Sequence, residues 1–134
     1  MKTINIDGTE YTIDCNALTY VKYKSFFHNG IMEDMAAIQE YLVKQSVYTD
    51  ELQKSNQFTS EEIAVMVSDK LMKEVDDFII KITQIAWILI YTANNKVEDY
   101  ETFMSKIKNF IIDDDWIAEV TEFAVTCFCR SRAE

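Results

Sequence analysis

The sequence predicts a mainly α-helical domain opened by a β-hairpin. Three observations carry this. Among 134 residues there are 2 Gly and 0 Pro, too few for the tight turns of a sandwich or barrel. Asp7-Gly8 stands between two short alternating runs, the strongest local hairpin signal. Most of the remaining chain places apolar residues at helical spacing. The expectation is one domain over 1–134, with a β-hairpin over about 2–14 (1–14 with its flanks) packed on five to six helices over 15–134.

A type I′ turn at Asp7-Gly8 sets the register: Ile6 faces Thr9, Ile4 faces Tyr11 and Lys2 faces Ile13. One face then carries Ile4, Ile6, Tyr11 and Ile13, the other Thr3, Asn5, Glu10 and Thr12. A lone hairpin is marginal in water, so the apolar face must dock. Asn16 is a suitable N-cap for a helix over about Ala17 to Phe27, ended by Gly30. Met32 to Ser46 forms the second helix, striped by Met35, Ile38 and Leu42. Val47 to Gln57 lacks a clear period and is taken as a connector.

Thr59 with Glu62 forms a capping box, and Phe58 with Ile63 has hydrophobic-staple spacing. From there apolar residues at helical spacing run to Leu89. Asp76-Asp77 could cap a fresh helix, so 60–93 allows one bent helix or two. Phe78 to Tyr91 is apolar almost all round, which marks a buried central helix. A helix from about Asp99 to Asn109 follows, turning Tyr100, Phe103, Met104 and Ile107 inward. The last helix runs from Trp116 to about Cys129, with Trp116, Val120, Phe123, Ala124 and Cys127 on its stripe. Phe128 lies about 120° round the wheel from Trp116. It is therefore expected to be exposed, and Trp116, Phe123 and Phe128 are the candidate partner-binding residues.

Charge narrows the function. Lys+Arg 13 against Asp+Glu 23 gives a net −10, and no basic patch is present to meet phosphates. No nucleic-acid partner is expected. No stretch is long and apolar enough to span a membrane, and the first residues do not read as a signal peptide. With three cysteines, Cys15, Cys127 and Cys129, a reducing cytoplasm with small, buried or half-buried thiols is the default. The single His28 offers no base for a cysteine nucleophile. Asp113-Asp114-Asp115 lacks the alternating oxygen ligands and the turn glycine of a calcium loop, and suits a helix N-terminus by dipole alone. No catalytic residue, metal or cofactor is expected, so the chain is taken as a non-enzyme.

The order of motifs resembles a known family. Ile4-Asn5-Ile6-Asp7-Gly8-Thr9-Glu10-Tyr11-Thr12-Ile13 leads into Asn16-Ala17-Leu18-Thr19-Tyr20. Ile85-Ala86-Trp87-Ile88-Leu89-Ile90-Tyr91-Thr92-Ala93 follows far downstream, then Asp99-Tyr100-Glu101-Thr102-Phe103-Met104. Asp113-Asp114-Asp115-Trp116-Ile117-Ala118-Glu119-Val120 closes the set. This resembles the tail assembly chaperones of long-tailed phages and prophages of Gram-positive bacteria. The family differs at Asp99, where Ser is usual, and at Thr102, where an acid is usual. The resemblance implies a helical viral protein without enzymatic activity, acting in the host cytoplasm. It implies binding to the tape-measure protein, recruitment of tail-tube protein, self-association, and a longer form made by ribosomal frameshifting. The acidic balance alone suggests a different function, that of a small inhibitor or regulator bound to a basic site on another protein, in the manner of a DNA mimic.

The acidic cluster at 113–115 yields a direct expectation. Calorimetric titration with Ca²⁺ or Mg²⁺ should show no tight stoichiometric binding, and a one-to-one isotherm would overturn it.

Overall fold

The computed structural model describes residues 1–112 and 114–128. Its order is β1 (Lys2–Ile6), β2 (Thr9–Ile13), α1 (Ala17–Phe27), α2 (Ile31–Lys54), α3 (Ser60–Lys70), α4 (Met72–Ala93), α5 (Tyr100–Ser105) and α6 (Asp115–Phe128). The protein is mainly helical, with an N-terminal two-stranded antiparallel hairpin packed on six helices. No helix among the described residues is long and apolar enough to cross a membrane.

The hairpin follows from its turn. Asp7 and Gly8 both have positive φ, 49° and 88°, as a type I′ turn requires. The register pairs Ile6 with Thr9, Ile4 with Tyr11 and Lys2 with Ile13. Ile4, Ile6 and Ile13 are buried and Tyr11 is half-buried. Tyr11 meets Phe103 edge-on, with ring centroids 5.6 Å apart. Two polar clasps hold the unit. Asp14 N donates to the Leu89 carbonyl at 3.1 Å. The Asp7 carboxylate accepts from Lys108 N at 2.8 Å and Asn109 N at 3.3 Å. Those two amide bonds hold the Asp7 carboxyl below its ordinary range.

The same clasp accounts for the length of α5. A helix to about Asn109 was expected, but α5 ends at Ser105. The amides of Lys106 and Ile107 close the helix with bonds three residues back, to the Phe103 carbonyl at 3.3 Å and the Met104 carbonyl at 3.1 Å, and those of Lys108 and Asn109 then turn to Asp7.

The other boundaries are set by caps. Asn16 caps α1, its side chain accepting from Leu18 N, and Thr59 with Glu62 forms the expected box at the start of α3. Gly30 does not end α1. His28 does, in the left-handed region at φ 67°, while Gly30 stands before α2. The supposed connector from Val47 is helical as far as Lys54. Tyr41, Tyr48 and Leu52 hold one face of α2 against the core, but exposed Val43 and Val47 blur that period in the sequence. The span 60–93 is two helices. The break falls at Leu71, φ −100° and ψ 15°, not at Asp76-Asp77.

The core sits around α4. Ile82, Thr83 and the whole run Ile85 to Ile90 are buried. Cys15, after β2, and Cys127, near the end of α6, form a disulfide with Cα atoms 6.7 Å apart. This corrects the expectation of unpaired thiols for that pair. A link across 112 residues constrains the unfolded chain by about 4–5 kcal/mol on the loop-entropy view. Cys129 lies outside the described residues.

Because Ile13 is fully buried and Tyr11 only half, their truncations should rank accordingly. Ile13→Ala should lower unfolding free energy in urea by about 3 kcal/mol. Tyr11→Ala should cost less, about 2 kcal/mol, through lost burial and the edge contact with Phe103. A reversed order would place the hairpin face differently.

Candidate functional site

The expected anchors on α6 do not form a surface. Trp116 is 2% exposed and stands edge-on to Phe110 at 6.1 Å. Phe128, expected outside, is also 2% exposed and meets Tyr20 edge-on at 5.1 Å. Phe123 is half-buried. The reason is the width of the buried arc. Trp116, Ile117, Val120, Ala124 and Phe128 are all buried, and on the helical wheel they span about 120°. A stripe of that width is normal for a helix facing a core. Phe128 closes its far edge.

Exposed aromatic surface gathers instead where α1, α4 and α5 meet. Apolar residues sit on every side of α1, so packing one side leaves others out. Thr19 and Tyr23 are buried, whereas Leu18, Val21 and Phe26 are 56%, 62% and 45% exposed. Phe26 stands edge-on to Trp87 at 5.0 Å and to Tyr91 at 5.3 Å. Phe27 does the same to Trp87 at 5.8 Å and to Tyr100 at 5.3 Å. These rings and Gln84 line an open groove of about 640 Å³, rimmed by Asp99 and Glu101. Among the described residues no Lys, Arg or His lines it.

Hydrogen bonds fix the groove. The Trp87 indole N–H donates to the Glu98 carbonyl at 2.8 Å, tying α4 to the residue before the cap of α5. The Thr83 hydroxyl donates its only proton to the Ile79 carbonyl at 2.7 Å. The same hydroxyl and that of Tyr100 form a hydrogen bond at 2.7 Å, which joins α4 to α5. Asp99 caps α5 by accepting from Thr102 N at 2.8 Å. The Thr102 hydroxyl first, and then this amide bond, hold the Asp99 carboxyl below its ordinary range. Glu98 points to Lys106 at 2.9 Å.

Behind the groove lies a buried polar pair. The Tyr23 hydroxyl donates to Asp34 Oδ2 at 2.5 Å, and Gln84 Oε1 is 3.4 Å from the same hydroxyl. Tyr23 is 0% and Asp34 2% exposed. Burial first, then the bond to Asp34, pushes the phenol pKa far up. The pair is closed to solvent, and it pins α1 to α2 behind the groove floor.

At the acidic cluster, Asp113 lies outside the described residues. Asp114 Oδ1 accepts from Asp115 N at 2.8 Å, and the Asp114 carbonyl accepts from Ile117 N at 3.1 Å. The side chain is thus spent on the start of α6. Among the described residues no three His, Cys, Asp or Glu side chains converge as metal ligands would.

Sequence reasoning missed the groove because it assigned each aromatic to the core of its own helix. The available signal was α1 itself, whose Leu18, Tyr20, Val21, Phe26 and Phe27 leave no wholly polar face. The chain matches no protein-family model, no curated protein and no solved structure.

The Tyr23–Asp34 pair has a pH signature. An unfolded tyrosine loses its proton near pH 10, whereas the buried one holds it higher. Above about pH 10 the unfolded state binds fewer protons, so stability falls as pH rises. In Tyr23→Phe the decline of the urea midpoint across that range should be shallower. At neutral pH the variant should lose about 1–3 kcal/mol, because the buried Asp34 carboxyl loses its donor. An unchanged alkaline slope would refute the burial of the phenol.

Proposed function

We propose that this protein is a non-enzymatic tail assembly chaperone of a long-tailed phage or prophage. In this function it binds the tape-measure protein, associates with further copies of itself and helps recruit tail-tube protein. The observation that carries the proposal is the order of motifs along the chain, from the Asp7-Gly8 hairpin through the Trp87 helix and the Asp99-capped turn to the Asp-opened last helix.

Three physical features support it. The hairpin is a sheet of two strands only, so each strand has one side without a ladder partner, and such edges accept another chain. Leu18, Val21 and Phe26 put apolar surface on one short helix, a mark of protein contact. The polar groups of the buried Tyr23–Asp34 pair serve packing and lie out of reach of a substrate. Because Trp116 and Phe128 are buried and Phe26 is exposed, the proposal assigns docking to α1, α4 and α5 and not to Trp116, Phe123 and Phe128.

The test is co-expression with the tape-measure protein encoded in the same phage genome, with light scattering of the purified chain. The expected outcome is a multimer that keeps the tape-measure protein in solution and co-purifies with it. A strict monomer that neither solubilises nor retains that protein would refute the proposal and favour the acidic inhibitor of a basic site.

A further inference from the structure

We infer that the groove between α1, α4 and α5 takes an arginine-bearing amphipathic segment of a partner protein, with the guanidinium held at the Asp99–Glu101 rim.

The groove combines two things a guanidinium requires. Its walls are aromatic: Phe26 is 45% exposed, and Phe27, Tyr91 and Tyr100 are half-buried, above a Trp87 floor that is 3% exposed. A planar cation stacks on such faces and gains from their quadrupoles. Its rim is anionic, with Asp99 and Glu101 as the only charged residues of the lining among the described residues. The Thr102 side chain and amide hold the Asp99 carboxyl below its ordinary range, and Glu98, next to it, is already engaged by Lys106. The rim therefore presents carboxylates without a cation of its own among the lining residues.

The occupant is a segment of chain, because the surface extends past one side chain's reach. Tyr91 also borders a second cleft that runs along α1 past Leu18 to Lys22. The surface thus extends along α1, where Leu18 and Lys22 face Tyr91, Thr92 and Asn94, with Lys22 one turn from Phe26. An amphipathic segment that sets an arginine at the Asp99–Glu101 rim and apolar residues against Phe26 and Tyr91 matches this lining. The overall charge of −10 adds a general attraction for basic partners, which the test must separate from the local one.

The probe is a fluorescein-labelled sixteen-residue peptide repeating Leu-Arg-Ala-Ala, compared with the same peptide carrying neutral citrulline for arginine. Binding to the whole protein is followed by anisotropy, and the Trp87 indole N–H resonance reports contact at the groove. Asp99→Asn with Glu101→Gln removes the rim charge, and Asn at 99 is as good a helix cap as Asp. Asp69→Asn with Asp76→Asn removes the same charge at exposed positions outside the groove. The expected result is a loss of about tenfold in affinity for the rim variant, the scale of one desolvated cation contact. The remote variant should change affinity less than twofold, and the citrulline peptide should bind at least tenfold more weakly than the arginine one. Equal losses for both variants, equal binding of both peptides, or an unmoved Trp87 resonance would overturn the inference. It rests on the groove's own chemistry and not on the tail-assembly proposal. A tape-measure protein that failed to co-purify would leave the peptide result standing.

Discussion

The burial of α4 on all sides is the constraint on which the rest of the structure depends. From Ile85 to Ile90 six consecutive residues are buried, so no face of that stretch is left for water. A helix of this kind can exist only inside a jacket. Among the described residues β2, α1, α2, α3, α5 and α6 each pack against α4 directly, while β1 reaches it through β2 and α6. The hairpin, marginal alone, is stable here because Ile4, Ile6 and Ile13 close one side of that jacket. The short α5 serves the same end with Phe103, which is fully buried. Truncating Ile13 therefore tests the jacket as well as the hairpin.

Much of this was legible in the sequence wherever a local signal and the tertiary demand agreed. The Asp7-Gly8 turn set the register, Asn16 and Thr59 set helix starts, and the apolar run set the central helix. The departures have physical causes that a local window does not contain. The second helix runs on past Val47 because Tyr48 and Leu52 find a core there. The helix after Asp99 closes in tighter turn bonds at Lys106 and Ile107, and a carboxylate about a hundred residues upstream takes the amides of Lys108 and Asn109 that follow. Phe128 turned inward because the buried arc of α6 is wider than the stripe centred on Trp116. Cys15 and Cys127 were seen as separate thiols because their proximity is created by the hairpin and α6 closing on the same helix.

The candidate site was less legible than the fold. Its aromatic residues look like core residues one helix at a time, and Trp87 is one. What makes a surface of the others is how three helices meet. Each hydrogen bond that closes the groove also joins different elements. Trp87 reaches the Glu98 carbonyl, Tyr100 reaches Thr83, and Tyr23 reaches Asp34. None of these pairings follows from spacing along the chain.

The position of the opening follows from lengths. The six residues of α5 cover about 9 Å along a helix axis, whereas the buried stretch of α4 from Ile82 to Ile90 is about 13 Å long. Alpha-helix α5 therefore cannot sheathe that flank alone, and Phe26 and Phe27 of α1 complete the cover from the other side. Phe27 packs against both Trp87 and Tyr100, while Phe26 reaches only Trp87, Tyr91 and its neighbour Phe27, and stays 45% exposed. The Asp7 clasp ends the continuation of α5 just beyond this point. With α5 this short, Phe26 and Tyr91 beside the buried Trp87 stay only partly covered. The helix cap that α5 still requires places the Asp99 carboxylate at the edge of that flank. Charge and aromatic surface meet there because one short helix must both start at an acid and stop early.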